Sequence, residues 1–338
     1  MNEKTTFLTS SRRNTPWTSR RNDATPLEAF IDDTAERNYT AKHPLVRKSK
    51  EDRLLNSYKP SCCPHCSSES IVKNGRSSTG VNRYKCNKCG RRFIILTGTI
   101  FQDHKIPISE WVAFCMNLIS YQSFTAISHI NLNSYTTTRY WISKIFLLLK
   151  SWQNDIILED KVYIDETYYT VRKSDIERKP DGTNYRGLSK NQMCIGIGCD
   201  SNGHVLALLE GFGKTSREKT LRCFNGHIKE KSHLIHDEEK AHKALVSKYE
   251  LTEEVHNSRL LKRLSDEENP LNPINQECNQ LKRFLHNHRS FIREDMADYL
   301  NLFIFIRDRK MSKYEKIEYL LDKAICTRET LKYRDEYQ

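Results

Sequence analysis

Cys63-Pro-His-Cys66 and Cys86-Asn-Lys-Cys89 are two C-x2-C pairs with 19 residues between them. Four thiolates at that spacing can surround one tetrahedral Zn²⁺, with Zn–S distances of about 2.3 Å. Cys62 adjoins the first pair, but only Cys63 gives the two-residue spacing, and His65 is expected to face solvent. Lys73-Asn-Gly-Arg76 is a turn signal and Arg83-Tyr-Lys85 a short strand, so each pair should end a hairpin. A module this small has little core, so the metal would supply much of its folding free energy. From Lys59 to Lys105, nine basic residues stand against Glu69 and Asp103, a net charge of +7 that favours a nucleic-acid partner.

A second chemistry lies in the acids. Asp165 closes the apolar run Val162-Tyr-Ile-Asp165, and Asp237 closes Leu234-Ile-His-Asp237. A carboxylate at the end of an apolar strand, found twice, is how a sheet edge presents hard oxygen ligands to Mg²⁺ or Mn²⁺. Two such ions about 3.5–4 Å apart can activate a nucleophile and stabilise the leaving oxygen of a phosphodiester. The third ligand should come from a helix over Asn275–His286, where Asn275, Cys278, Asn279 and Lys282 share one stripe. Asn275 with Lys282 is the pair on that stripe: a neutral amide oxygen for the metal and a cation for a phosphate. Glu277 falls with Leu281 and Leu285 unless the helix starts later, so Asn275 and Glu277 both stay open as third ligand.

These groups need a scaffold, and the chain has 338 residues for it, enough for two or three domains. Residues 1–57, rich in Ser, Thr, Asn and Arg, are expected to be a basic, disordered extension. It holds a short helix at Leu27–Ile31 and the pieces Ser11-Arg-Arg13 and Ser19-Arg-Arg21, which could touch phosphate. Residues 58–104 form the zinc ribbon. Residues 105–152 are three helices, at Ile108–Ser120, Phe124–Ile130 and Tyr135–Ser151. Ser109 is expected to cap the first, whose apolar face would be Val112, Met116 and Ile119. The third opens with Thr136-Thr-Thr-Arg-Tyr140, suited to phosphates and base edges, which makes the segment helix-turn-helix-like with Arg139 as a DNA contact. Residues 160–310 alternate strands and helices, and 311–338 are a charged helical tail. The fold class is multidomain α+β.

The net charge of +12 points to a polyanionic partner. No run approaches the ~20 apolar residues of a membrane span, and the first residues lack the apolar stretch of a signal peptide. The expected setting is inside a cell, in a bacterial cytoplasm and nucleoid or in a nucleus. There eleven cysteines argue for metal rather than disulfides.

Over about residues 60–307 the motifs resemble one family. They are Cys63-Pro-His-Cys66, Tyr84-Lys-Cys-Asn-Lys-Cys89, Thr97-Gly-Thr-Ile100, Tyr163-Ile-Asp-Glu-Thr-Tyr168, Arg186-Gly-Leu-Ser-Lys190, Asp237 and Ile274-Asn-Gln-Glu-Cys-Asn-Gln-Leu-Lys-Arg-Phe-Leu285. Together they resemble the small insertion-sequence transposases with an N-terminal zinc ribbon, whose eukaryotic relatives are the Merlin elements. The resemblance implies an RNase H-like α/β catalytic domain with a mixed sheet. It also implies divalent-metal cleavage and strand transfer at the element's terminal inverted repeats, target DNA as a second partner, and a homo-oligomer in the transposition complex. By motif, Asp165, Asp237 and Asn275 would hold Mg²⁺ or Mn²⁺, and Lys282 would touch DNA. His286-Asn-His-Arg289 stands where the family carries an aromatic-rich turn. Two other classes remain: a domesticated zinc-ribbon protein that binds DNA without cutting it, and an RNase H-superfamily nuclease without strand transfer.

Overall fold

The computed structural model describes residues 51–104, 106–171, 173–261, 263–288 and 293–331. The expectations for residues 1–50, including Leu27–Ile31 and the two Ser-Arg-Arg pieces, lie outside the described residues. The chain divides into two compact units, residues 1–144 with 317–338 and residues 145–316.

Among the described residues the first element is helix α1 (Glu51–Ser57), within the stretch through residue 57 expected to be irregular. Leu55 is buried, and Asn56 ties the helix to the ribbon through the Gly80 carbonyl and the Asn82 N–H. The ribbon is an antiparallel sheet of β1 (Ile71–Arg76), β2 (Asn82–Cys86) and β3 (Arg92–Ile94), in that order. Its turn is not at Asn74-Gly75. Those residues form a bulge within β1, with Gly75 at φ +73°, and the chain reverses at Ser77–Gly80, where the Gly80 N–H donates to the Ser77 carbonyl. An Asn-Gly pair supplies positive φ, which a bulge uses as readily as a turn.

Three helices follow at nearly the expected bounds: α2 (Ile108–Ile119), α3 (Phe124–Ile130) and α4 (Tyr135–Leu149). Ser109 does not cap α2, because the helix already includes Ile108. The Ile108 N–H instead donates to the buried carboxylate of Glu51, reaching across from α1. The buried face of α2 is also rotated from the expected one. Trp111, Phe114, Cys115 and Leu118 are buried, whereas Val112 and Met116 are half-buried. The aromatic rings decide this: Trp111 packs edge-on to Phe101 and Phe114 edge-on to Trp141. Ser123 caps α3 by accepting from the Ala126 N–H. Helix α10 (Lys313–Cys326) spans a unit boundary. Beyond it, Arg328 donates to the carbonyls of Ile95 and Thr97, so the unit is closed by the end of the chain.

The second unit is a five-stranded mixed sheet. It contains β4 (Lys161–Thr170), β5 (Gln192–Asp200), β6 (Val205–Phe212), β7 (His233–Asp237) and β8 (Thr252–His256), in the order β6-β5-β4-β7-β8. Strands β4, β5 and β6 are antiparallel, and β7 and β8 run parallel to β4. Strand alternation sends Val162, Ile164 and Leu234 to one face, where they form a core with Leu158, Phe224, Ile228 and Leu245. Helices α5 (Arg217–Cys223) and α6 (Lys243–Tyr249) cover that face. A Cβ on Gly198 would meet Leu158 Cδ1 at 2.5 Å, so glycine there lets the core close onto the sheet. Helix α8 (Asn272–Asn287) packs on β4 and β5, and α9 (Met296–Arg307) on β6; α7 (Ser258–Leu261) is one turn between β8 and α8. Among the described residues no helix is long and apolar enough to cross a membrane.

Candidate metal centres and active site

In the ribbon the four cysteine sulfurs lie within 4.8 Å of one another. Cys63 Sγ is 3.7 Å from Cys89 Sγ, and Cys66 Sγ is 3.6 Å from Cys86 Sγ. A tetrahedron with Zn–S arms of about 2.3 Å has edges of about 3.8 Å, so the sulfurs stand where such an ion would hold them. The backbone contributes too. The His65 N–H donates to Cys63 Sγ and the Cys89 N–H to Cys86 Sγ, and the latter bond pulls the Cys86 thiol down to about 6. Thiolate is the form that binds metal. His65 is exposed, and Cys62 stands outside the group. Tyr84 stacks on Phe93 at 5.7 Å and roofs the small cluster around Cys63 and Cys86.

In the second unit, Asp165, Asp237 and Asn275 line one pocket, with Ile164, Leu261, Asn269 and Leu271 as the remaining wall. Asp165 was expected at a strand end, but β4 continues to Thr170 because β5 pairs along its whole length. The ladder with β7, however, stops at Tyr163–Ile235. Asp165 is thus interior toward β5 and terminal toward β7, and Asp237 ends β7. The Asp165 carboxylate accepts from the Glu166 N–H at 2.8 Å, and Cys278 Sγ lies 3.7 Å from its other oxygen. Asp237 accepts from the Glu239 N–H at 2.9 Å. Burial, then the charges of Glu166 and Asp237, push the Asp165 carboxyl up to about 6. Among the described residues no lysine or arginine lines the pocket. Two crowded carboxylates beside amides are the donor set a hard divalent cation takes.

Helix α8 starts at Asn272, three residues earlier than expected, with Pro273 in its first turn, where a missing N–H costs nothing. The stripe divides. Asn275 faces the pocket, Cys278 is buried against Asp165, and Asn279 and Lys282 are exposed. Lys282 does not line the pocket. Glu277 points elsewhere: its buried carboxylate takes two bonds from Arg307, at 2.6 and 2.9 Å. Glu277→Ala should therefore cost about 3–5 kcal/mol of stability, because it strands a buried guanidinium. Denaturant unfolding of the full chain measures this, and an unchanged midpoint would show the pair to be dispensable.

Sequence reasoning missed the far side of the sheet. His242, the residue before α6, is fully buried. Its Nε2 is 2.9 Å from Glu166 Oε1, and its Nδ1 is 3.1 Å from Nδ1 of the equally buried His236. His236 Nε2 lies 3.5 Å from a Glu253 carboxylate oxygen. Burial works against charge on His242, but the bond to Glu166 and the charges of Glu166, Asp237 and Asp165 together raise its pKa; burial and the neighbouring His242 lower that of His236. The adjacency of His236 to Asp237 was the one available signal. In the first unit, Arg139 is half-buried on α4, Thr138 is buried, and Tyr140 donates to the Leu331 carbonyl.

No family model and no curated protein matches the chain. Among solved structures it is similar to a chain of the simian T-cell lymphotropic virus intasome bound to the PP2A regulatory subunit B56 gamma. That match has 12% identity and a TM-score of 0.26, and it covers 56% of this chain and 65% of the other. It is also similar to a chain of the Mos1 strand transfer complex, with 12% identity, a TM-score of 0.27 and coverage of 63% and 74%. For a pre-cleavage Mos1 transpososome the figures are 10%, 0.21, and 60% and 75%. Scores this low leave the functional reading to the geometry of the chain itself.

Proposed function

We propose that the chain is a DNA transposase of the insertion-sequence type, with an RNase H-like second unit that cleaves and joins DNA in a divalent-metal-dependent reaction. The observation that carries this is the convergence of Asp165, Asp237 and Asn275, drawn from a span of about 110 residues of sequence, on one pocket. The mixed sheet flanked by helices is the scaffold that such a domain requires. Mg²⁺ or Mn²⁺ bound there would supply activation of the nucleophile and stabilisation of the leaving oxygen. The protein's own part is to hold the ligands: the N–H groups of Glu166 and Glu239 orient the two carboxylates, and α8 brings the Asn275 amide to them. Lys282, exposed on α8 seven residues after Asn275, is the residue assigned to a DNA phosphate.

In the first unit, Zn²⁺ on Cys63, Cys66, Cys86 and Cys89 would fix a ribbon whose Lys73, Arg76, Arg83, Lys85, Lys88, Arg91 and Arg92 are all exposed. This unit, with Arg139 on α4, is assigned to the terminal inverted repeats. Phosphate contacts release counterions, so affinity should fall steeply with salt. Arg139→Ala should weaken binding to the element's ends more than binding to unrelated DNA. Equal loss on both would place Arg139 on the backbone or outside the interface.

The test is incubation of the protein with its own element ends, Mg²⁺ and plasmid. End-joined plasmid is the expected product. Cleavage without joining would make the protein a nuclease, and binding without cleavage a domesticated DNA-binding protein.

A further inference from the structure

We propose that His242 is a positioning residue that sets the separation of Asp165 and Asp237, by bracing β4 to β7 beyond the end of their ladder. The inference rests on the reading of that pocket as a divalent-metal site.

The last paired residues of β4 and β7 are Tyr163 and Ile235. Two residues further along each strand come Asp165 and Asp237, where no backbone bond between the strands fixes the gap. Alternation puts Glu166 and His236, the immediate neighbours of the two aspartates, on the opposite face. His242 joins those neighbours: one ring nitrogen is 2.9 Å from Glu166 and the other 3.1 Å from His236. The bridge therefore crosses the same gap at the same level, with a nitrogen of each ring within 4.8 Å of an Asp237 carboxylate oxygen. His236 extends it toward Glu253 on β8. The side chains of His242, His236 and Glu166 are 0, 1 and 5% exposed. In so dry a place a bond to a charged group is strong and an unmade one costly, so the bridge is stiff. Cations of this kind demand near-ideal ligand placement, and partners behind the ligands tune affinity by about 10–100-fold.

The experiment is Mn²⁺ binding to the full-length, zinc-loaded protein without DNA, followed by electron paramagnetic resonance. His242→Ala should weaken Mn²⁺ binding about 10–100-fold. His242→Gln should recover most of it, because its amide can both donate to Glu166 and accept from His236. Leu245→Ala, in the core under α6, controls for loss of stability and should leave Mn²⁺ affinity within about threefold of wild type. Should His242→Ala fail to fold, Glu166→Ala takes its place with the same expectation. Wild-type affinity in His242→Ala, or an equal loss in Leu245→Ala, overturns the brace. Asp165→Ala tests the underlying reading separately. If that variant still binds Mn²⁺, the pocket is not the metal site; if it does not, a normal His242→Ala sinks the brace alone.

Discussion

Asp165→Ala and Asp237→Ala should each lower DNA cleavage and strand transfer by about a thousandfold or more, roughly 4 kcal/mol in the barrier, while DNA binding survives. Both carboxylates line the pocket, and each is oriented by a backbone N–H that alanine could not use. Each variant leaves a single carboxylate beside amide oxygens, too few hard ligands to hold the cations, and phosphodiester cleavage is too slow unaided. Asn275→Ala should cripple the enzyme less completely, because a neutral amide attracts a divalent ion less than a carboxylate does. Asn275→Glu should keep some activity, since it offers the same site with more charge. Lys282→Ala should weaken engagement of the DNA end more than metal binding. Gel-resolved strand transfer beside a binding assay separates these effects. A fully active Asn275→Ala beside a stable but dead Glu277→Gln would transfer the ligand role to Glu277, against the pairing of that carboxylate with Arg307.

Removal of zinc is the second large effect. The wild-type chain should carry about one Zn²⁺, and Cys86→Ser should release it. Binding of a structural zinc is worth about 10–16 kcal/mol in small domains, far more than the stacked Tyr84–Phe93 pair and the few residues around it can supply. The ribbon should then lose its fold and the chain its preference for the element's ends. The second unit should melt as before, because its core lies within residues 145–316. Metal analysis and hydrogen exchange report the two halves of that expectation. Full zinc occupancy in a Cys63→Ser, Cys86→Ser double variant would remove the ribbon's metal from the account.

What could be read in the sequence was whatever obeys a short period or a fixed spacing. The cysteine pairs, the three helices of the first unit and the ordering of strands and helices in the second are of that kind. The stripe rule set Asn275 and Glu277 on different faces; in the structure one lines the pocket and the other meets Arg307. What could not be read depends on partners distant in the chain. The extension of β4 past Asp165 follows from its pairing with β5, about 30 residues later. Glu51 displaces Ser109 at the start of α2 because α1 happens to fold against it. The face of α2 turned because Trp111 and Phe114 found ring partners at Phe101 and Trp141. The His242 bridge joins three elements through single side chains, a pattern that leaves no periodic trace.

The first unit is built from two stretches of chain, with all of the second unit between them. On the ribosome, residues 51–144 emerge first but lack Arg328, which ties down the Ile95 and Thr97 carbonyls, and Leu331, which receives the Tyr140 hydroxyl. The second unit needs nothing beyond residue 316. Completion therefore runs opposite to chain order: the second unit has all its residues before the first has Arg328 and Leu331. A chain cut after residue 316 would keep the second unit whole and leave the first without the contacts of Arg328 and Leu331.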